Sequence, residues 1–563
     1  MLTVDELDAL FLQIECQLRH WDAHKQDCKD PVRSDSWAPS WVAENRDFSF
    51  AGKYDERIGD RWQRLSDSEF SDGQFLWGNV PAMNIVNLPN NEDDSTIDLS
   101  LAFAASGDIR NVVKTVNELP TDYSGHLTIL LNDLDPYIAV RNLAILLVLG
   151  QVPDEKRAVD VALHLWYSVY VPKQHPVTVI NTVLPAIKRY QVNGTFSEAL
   201  GPTSTLSAII PPKTMNLLHA LVKKQHDMQE INAEIERIRF EPSREDLHHR
   251  KLCKMKPSNR LAFHRSRRSG VVLPFGARSD EFNFPNPFLF SHDGKWLQNE
   301  AASPLDSWNL EEVVKIGSAH GAQSEDIFGC LYFFLTEQLT LFSRRLKQFR
   351  ISFQLLNDDA TALPTRLRSG ALAPVVPADA AFDRIDVSNL LDDVWAGSSP
   401  VLQAWGPLLK GTNYATIVGY FMNWVEEQPG GYVNAAGGAT TSALLEEMLR
   451  QGKMYPDLSK IPAPNKMLEF QKIMAVAPDY LAMLYDNSGA FEEFLTTQDI
   501  SEILRKAILQ RKETHTVVPH RLAAPLGAPR NALPFFPTDE SWYFQVQMGC
   551  WHGSERFLEF CRR

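Results

Sequence analysis

Strands and helices alternate between residues 99 and 149, and this alternation constrains the fold more than any other feature. Leu99 to Ala105 is a near-continuous apolar run, typical of a strand buried on both faces. Apolar residues at helical spacing follow from Ile109 to Val116. A second apolar run, His126 to Leu131, then precedes an apolar helix from Tyr137 to Leu149. This β-α-β-α order predicts an α/β fold with a Rossmann-like parallel sheet.

Polar residues follow both strands, at the sheet edge where such folds bind ligands. Six residues hold these positions: Ser106, Gly107, Asp108, Asn132, Asp133 and Asp135. Gly107 would let the backbone approach a ligand, and the next helix would offer free N–H groups to an anion. Asp133 stands where a carboxylate meets ribose hydroxyls in nucleotide-binding folds. A plain turn, with Asp108 capping its helix, is at least as good an explanation of the first loop.

Later apolar runs extend the predicted sheet. Phe349 to Leu356, Ala381 to Asn389 and Ala415 to Met422 have strand character, and Ser541 to Gln547 with Arg556 to Phe560 predict a closing hairpin. Polar residues near the second of these strands add site candidates: Asp386, Ser388, Asn389, Asp392 and Asp393. Gly430 to Thr441 is glycine-rich without a phosphate-binding lysine and predicts a loop.

The chain divides into five predicted regions. Residues 1–30 form a short N-terminal unit, 31–95 a Trp-rich segment packing on the core, and 96–150 the first half of the core. Residues 151–347 form a mostly helical insertion, in which Lys213 to Phe240 predicts an amphipathic helix. Residues 348–563 supply the second half of the core and the C-terminal hairpin.

A basic stretch stands out against the acidic composition. The 563 residues carry a formal net charge of −14, which argues against a dedicated nucleic-acid coat protein. Between Arg244 and Arg268, however, there are nine Lys or Arg and two acids. Such clusters hold backbone phosphates, although a solvated basic loop is an equally good interpretation. Eight residues are the predicted phosphate contacts: Arg250, Lys251, Lys254, Lys256, Arg260, Arg265, Arg267 and Arg268.

The cysteines predict neither a disulfide framework nor a metal site. Six cysteines in a chain of this length suit a reducing compartment. Cys16, Trp21, His24 and Cys28 resemble the second half of a MYND zinc finger, which needs eight ligands for two zinc ions. Because no cysteine precedes Cys16, we expect a degenerate finger without zinc.

Nothing in the sequence predicts a membrane segment or a secretory signal. The longest strongly apolar run, Leu143 to Leu149, is far shorter than a membrane-spanning helix. The N-terminus is acidic and lacks a basic region before an apolar stretch. We therefore expect a cytoplasmic protein without membrane contact.

Six segments carry a resemblance to a known family: Trp77 to Ala82, Ser106 to Asn111, Phe282 to Pro287, Phe382 to Asn389, Gly406 to Lys410 and Asp539 to Tyr543. Together they resemble fungal MYND-finger proteins whose central domain is similar to that of axonemal dynein assembly factors. The resemblance implies a class I methyltransferase-like Rossmann core, and folds of this type host many chemistries.

Three functions follow from these observations. An S-adenosylmethionine-dependent methyltransferase would place Ser106, Gly107 and Asp108 at the methionine moiety and Asp133 at the ribose. A catalytically silent assembly or interaction factor would leave the pocket empty.

The chain also resembles fungal arginine-containing cyclodipeptide synthases, which join two aminoacyl groups from tRNA into a diketopiperazine. This resemblance implies aminoacyl-tRNA as partner, no certain cofactor, and acids that hold a guanidinium. We take Ser388, Asp386 and Asp133 as its catalytic candidates. Asp392 and Asp393 match the start of the D-D-x-x-E pattern of these synthases, but Ala396 stands in place of its glutamate. The basic stretch favours this synthase as the leading prediction, a transferase of fungal small-molecule biosynthesis.

Overall fold

The structure is a computed structural model that describes residues 29–46, 75–193, 195–451, 463–549 and 553–563, with Lys25, Asp27 and Trp551. The predicted MYND remnant at Cys16, Trp21, His24 and Cys28 lies outside the described residues.

The strands follow the chain in this order: β1 Leu99–Phe103, β2 His126–Asn132, β3 Tyr170–Pro172, β4 Phe196–Ala199, β5 Thr205–Ile209, β6 Phe282–Pro285, β7 Arg350–Leu356, β8 Arg384–Asp386, β9 Thr416–Phe421, β10 Leu509–Arg511 and β11 Arg556–Arg562.

The longer helices are α1 Arg110–Glu118, α2 Pro136–Gln151, α3 Glu155–Tyr167, α4 Gln174–Asn193, α5 Pro212–Lys223, α6 Met228–Arg239, α7 Glu245–Leu252, α8 Pro257–Ser269, α9 Leu310–Ala319, α10 Ile327–Gln348, α11 Ser398–Trp405, α12 Gly438–Arg450, α13 Ala463–Leu484, α14 Ser488–Thr497 and α15 Ile500–Ala507.

Within the described residues, nine strands form one sheet in the order β10-β11-β9-β8-β1-β2-β7-β5-β4. The six strands from β9 to β5 run parallel to one another. At the edges, β11 pairs antiparallel with both β9 and β10, and β4 pairs antiparallel with β5. The mixed α/β architecture with a mostly parallel sheet agrees with the predicted Rossmann-like class.

Alternate residues of the central strands enter two separate hydrophobic clusters. Leu101 and Phe103 of β1 belong to the cluster that also contains the buried residues of α2 and α3. Ala102 packs on the other side of the sheet, in the cluster that includes Ile385 and Trp405. The sheet is therefore covered on both faces, which explains why its strands read as continuous apolar runs.

Three local predictions differ from the structure. Ser541 to Gln547 is helical, because Thr538 caps an α-helical turn at Asp539–Trp542 that continues as a π-helix to Met548. The predicted helix from Lys213 to Phe240 is two helices, since Asp227 accepts N–H bonds from Gln229 and Glu230 and starts α6 anew. The predicted glycine-rich loop is shorter, because α12 begins at Gly438.

The predicted helical insertion also contributes to the main sheet. Its strand β5 pairs in parallel with β7 over five residue pairs, and β4 extends the sheet beyond it. Both strands are short and their sequences are interrupted by polar residues, so their hydrophobic pattern did not predict strands. No helix among the described residues is long and apolar enough to cross a membrane.

Candidate active site at the carboxyl ends of β1 and β8

The candidate site lies where the chain path reverses across the sheet. The chain runs from β1 to β2 on one side, whereas β8 pairs with β1 on the other. The loops after β1 and β8 therefore leave the sheet side by side at the carboxyl ends of their strands, the usual ligand position in open α/β sheets. One backbone bond holds the two loops together at the base, from the N–H of Ala104 to the carbonyl of Asp386 at 2.8 Å.

Ser388 follows β8 in a strained conformation. Its φ of +52° lies in the left-handed region, which costs a non-glycine residue about 1–2 kcal/mol. Three contacts hold it there: its N–H donates to Asp386 Oδ1 at 2.8 Å, its carbonyl accepts from the N–H of Tyr420 at 3.0 Å, and its hydroxyl lies 3.3 Å from the Tyr420 hydroxyl. Strain of this kind is concentrated at functional sites.

Buried polar groups surround the Ser388–Tyr420 pair. Burial raises the pKa of the Tyr420 phenol, so this hydroxyl stays protonated and can both donate and accept a hydrogen bond. Asp386 accepts from Asn111 Nδ2 at 3.1 Å in addition to the Ser388 N–H, and burial raises the pKa of its carboxyl. The guanidinium of Arg110 acts electrostatically on both Tyr420 and Asp386 and lowers both pKa values in part.

The loop after β1 is clamped from both sides at Gly107. The Gly107 N–H donates to Asp133 Oδ2 at 2.8 Å, and its carbonyl accepts from Asn142 Nδ2 at 2.7 Å. Gly107 has a φ of +54°, and a Cβ built on it would meet open space. Burial raises the pKa of Asp133 to about 6 despite the N–H bonds that it accepts from Gly107 and Asp135. Gly107 thus borders open space, and its role in a ligand-binding turn stays a prediction.

The other polar residues of these two loops have structural contacts. Asn132 donates to the carbonyls of Ala104 and Asp358 and so joins β1 to β7. Asp135 caps α2 by accepting from the N–H groups of Tyr137 and Ile138. The Ser106 hydroxyl donates to the Gly107 carbonyl at 3.3 Å.

Asp108 is not available to a ligand. Its carboxylate accepts from the N–H of Gly78 at 3.0 Å and pairs with Arg110 at 2.7 Å, and its side chain is fully buried. Arg110 also donates to the carbonyl of Val80 at 3.0 Å. Asp108 and Arg110 together hold the Trp77–Ala82 segment against the start of α1.

Carboxylates also gather beyond β8 and β9. Asp392 accepts from the N–H groups of Met422 and Asn423, and burial raises the pKa of its carboxyl to about 7. Asp393 is exposed and accepts from Gln498 at 3.0 Å. Burial, followed by the charge of Asp393, raises the pKa of Glu427. Asn389, three residues before Asp392, is half-buried.

Most of the basic stretch points into the protein. Arg250 and Lys254 both pair with Asp479, at 2.7 Å and 2.5 Å. Arg260 is buried and donates to the carbonyls of Val32, Ser34 and Met255. Arg267 donates to the carbonyls of Arg239 and Glu300, and Lys251 pairs with Asp306 at 3.4 Å.

Three of the predicted phosphate contacts reach the surface. Lys256 and Arg268 are exposed, the first over the Tyr543 ring and the second 2.7 Å from His264 Nε2. Arg265 is half-buried over the Phe275 ring. The structure therefore leaves a much smaller basic surface than the sequence composition indicated.

Sequence reasoning missed Tyr420, Arg110 and Asn111. Tyr420 stood inside an apolar strand pattern, and its contact with Ser388 depends on the β8–β9 pairing. No metal-binding group of three or more His, Cys, Asp or Glu side chains occurs among the described residues.

One family model matches the chain, a domain of unknown function (DUF4470), over residues 76–171. The match covers the Trp77–Ala82 segment, β1, β2, the helices α1 to α3, and Gly107 with Asp133, and it ends before Ser388. Neither the curated proteins nor the solved structures contain a match to this chain.

Proposed function

We propose that this protein is an aminoacyl transferase that carries its acyl group on Ser388. In its most specific form it is a tRNA-dependent, arginine-containing cyclodipeptide synthase of fungal small-molecule biosynthesis. One observation carries the proposal: the strained Ser388 presents its hydroxyl to the neutral Tyr420 phenol at the carboxyl ends of the strands, where open α/β sheets usually bind ligands. A cytoplasmic location, where aminoacyl-tRNA is present, belongs to the same proposal.

The first step transfers an aminoacyl group to the protein. Ser388 Oγ attacks the ester carbonyl carbon of the aminoacyl-tRNA, forming a new ester while the bond to the terminal ribose oxygen breaks. The serine proton passes to the Tyr420 oxygen as Tyr420 gives its own proton to the departing ribose oxygen. A phenol with a raised pKa suits this relay because it is protonated at the start and at the end.

The second step makes two amide bonds. The α-amine of a second aminoacyl-tRNA attacks the Ser388 ester, and the serine oxygen leaves and regains a proton. The α-amine of the first residue then attacks the remaining tRNA ester, which closes the diketopiperazine ring and releases the second tRNA. The exposed carboxylate of Asp393 is our candidate partner for the arginine guanidinium, and Lys256, Arg265 and Arg268 are the remaining candidates for tRNA phosphates.

The test is mass spectrometry of metabolites from a bacterial host that expresses the chain. We expect an arginine-containing diketopiperazine from the native protein and from Ser369→Ala, a matched control at an exposed serine. Ser388→Gly removes the hydroxyl without straining the backbone, and we expect it to abolish the product. Tyr420→Phe should lower the yield by roughly 10²–10⁴-fold, the usual contribution of a positioned proton donor. A soluble native protein that makes no diketopiperazine, or full activity in Ser388→Gly, would contradict the proposal.

A second candidate function is methyl transfer from S-adenosylmethionine. Two observations favour it: the free space over Gly107 beside Asp133, and a sheet order that agrees with the class I methyltransferase-like core implied by the family resemblance. Calorimetric titration of the native protein with S-adenosylmethionine tests it. Binding that is lost in Gly107→Trp would support methyl transfer, and absence of binding would exclude it.

A further inference from the structure

We propose that a groove between α8 and the N-terminal end of α10 binds a small amphipathic acid, a molecule with an apolar or aromatic body and one anionic head group. The groove encloses about 580 Å³, a typical size for a small-molecule site. The groove shares no residue with the Ser388 site, although Arg265, a candidate contact for tRNA phosphates under the proposed function, also lines it, so the probe is tested without tRNA.

One face of α8 forms a wall of the groove. The residues on this wall recur at helical spacing: Ser258, Leu261, Ala262, Arg265, Ser266 and Ser269. Leu273 and Phe275 from the following loop, with Phe328 and Phe333 from α10, add apolar side chains to the lining. Apolar walls of this kind favour an apolar ligand body through burial of its surface.

Two guanidinium groups provide the charge for an anionic head group. Arg265 lies over the Phe275 ring at 4.2 Å, and among the described residues its ion-pair partner is Asp27, 3.5 Å from one nitrogen of the guanidinium. Arg33 is exposed, and the described residues provide no ion-pair partner for its guanidinium. Arginine is the side chain best suited to bind a carboxylate, sulfonate or phosphate in two-point fashion.

The acids on the lining are already engaged. Asp326 accepts from the N–H of Phe275 at 2.7 Å and from that of Gly329 at 3.0 Å, which fixes the start of α10. Asp27 pairs with Arg265, and Glu325 accepts from the Ser324 hydroxyl at 3.2 Å. Arg33 and Arg265 are therefore the cationic donors that an anionic head group would contact.

The experiment uses the fluorescent probe 1-anilinonaphthalene-8-sulfonate, which has an aromatic body and one anionic group. We expect one saturable site per chain, with a Kd on the order of 10 µM for a probe of this size. The neutral probe N-phenyl-1-naphthylamine should bind at least ten-fold more weakly. Arg265→Met should remove this difference in affinity, because it weakens binding of the sulfonate probe and leaves binding of the neutral probe unchanged.

Two substitutions that fill the groove distinguish it from other apolar surfaces. Ala262→Trp places an indole on the α8 wall, and Gly276→Phe adds a ring at a position where a Cβ meets open space and φ is not positive. Both should abolish saturable binding, whereas Arg278→Met, outside the lining, should bind the probe as the native protein does. Unchanged binding in both filled variants, or an Arg265→Met protein that keeps its preference for the sulfonate, would overturn the proposal.

Discussion

At the residue scale, the left-handed backbone of Ser388 makes a prediction about stability that is separate from catalysis. Because glycine adopts a φ of +52° without a steric penalty, Ser388→Gly should be more stable than Ser388→Ala by about 1 kcal/mol. The matched pair at Ser369, where φ is −73°, should show the opposite order, with alanine the more stable. Urea denaturation of the four variants measures both differences. An alanine advantage at position 388 would mean that Ser388 is not held in the left-handed region.

Asp133 gives a second residue-scale prediction, for the pH dependence of stability. Burial raises its pKa to about 6, whereas the unfolded carboxyl titrates near pH 4. Between these values the folded state keeps a proton that the unfolded state has lost, so its contribution to the free energy of unfolding falls as pH rises from 4 to 6. Above pH 6 the contribution is constant.

The substitution Asp133→Asn isolates this contribution, because asparagine does not titrate. Denaturation at intervals from pH 4 to pH 8 gives the free energy of unfolding of both proteins. As pH rises from 4 to 6, the free energy of the native protein should decrease relative to that of the variant. Parallel curves over this interval would show that Asp133 titrates at its ordinary value in the folded protein.

At the element scale, sequence predicts best those elements whose signal lies within one short segment of the chain. The central strands were predicted to within one or two residues at most ends because strands buried on both faces are continuously apolar, as in β1, β2 and β7. The segment after Thr538 was wrongly predicted as a strand, since a short apolar run fits a buried helix equally well.

The basic stretch shows why burial of charge is invisible in the sequence. The partners of its arginines and lysines are far away in the chain: Asp479 lies 229 residues from Arg250, and Glu300 lies 56 residues from Arg244. A run of like charges therefore suggested a surface, whereas tertiary pairing turned much of it into the packing of α7 and α8. The Ser388–Tyr420 contact was missed for the same reason, because strand pairing creates it.

The ion pairs of Asp479 give the prediction for these elements. Asp479 on α13 pairs with Arg250 of α7 and with Lys254. Burial alone would raise the pKa of the Asp479 carboxyl, but Lys254 and Arg250 together hold this pKa well below the usual range. Asp479→Asn would leave two largely buried cations without a counter-charge, and we expect a loss of about 3 kcal/mol in the free energy of unfolding.

The control is Glu447→Gln, which removes the exposed pair with Arg450 and should change the free energy of unfolding far less than Asp479→Asn does. Chemical denaturation compares the two losses directly. Equal small losses would show that the Arg250–Asp479 contact is as solvated as a surface pair.

At the scale of the whole molecule, the sheet joins segments that are distant in the chain. Its centre comes from residues 99–132 and 350–421, whereas β5 comes from the predicted insertion and β11 from the C-terminal residues. The hydrophobic pattern predicted the class of this sheet, but strand order depends on pairing between segments and could not be read locally. The same limit applies to the site, whose two loops meet only because β8 pairs with β1.

From the position of β11 we predict that the fold requires this strand. It lies between β9 and β10, and its Glu559 is fully buried. The Glu559 carboxylate accepts from the N–H groups of Thr516, Val517 and Val518 and pairs with Lys512 at 2.9 Å. Removing residues 553–563 would expose the edge of β9 and leave these donors unpaired, and an open edge of this kind favours aggregation.

We therefore expect the truncated protein to be insoluble or aggregated on size-exclusion chromatography. Loss of Arg563 alone, an exposed residue beyond β11, should leave the protein soluble. Glu559→Gln tests the role of the carboxylate apart from that of the strand. It keeps the shape of the side chain but removes the charge that faces Lys512. We expect this variant to fold, with a loss of about 3 kcal/mol in the free energy of unfolding. A soluble truncated protein with a native circular dichroism spectrum would show that the rest of the sheet, up to β9, folds without β11.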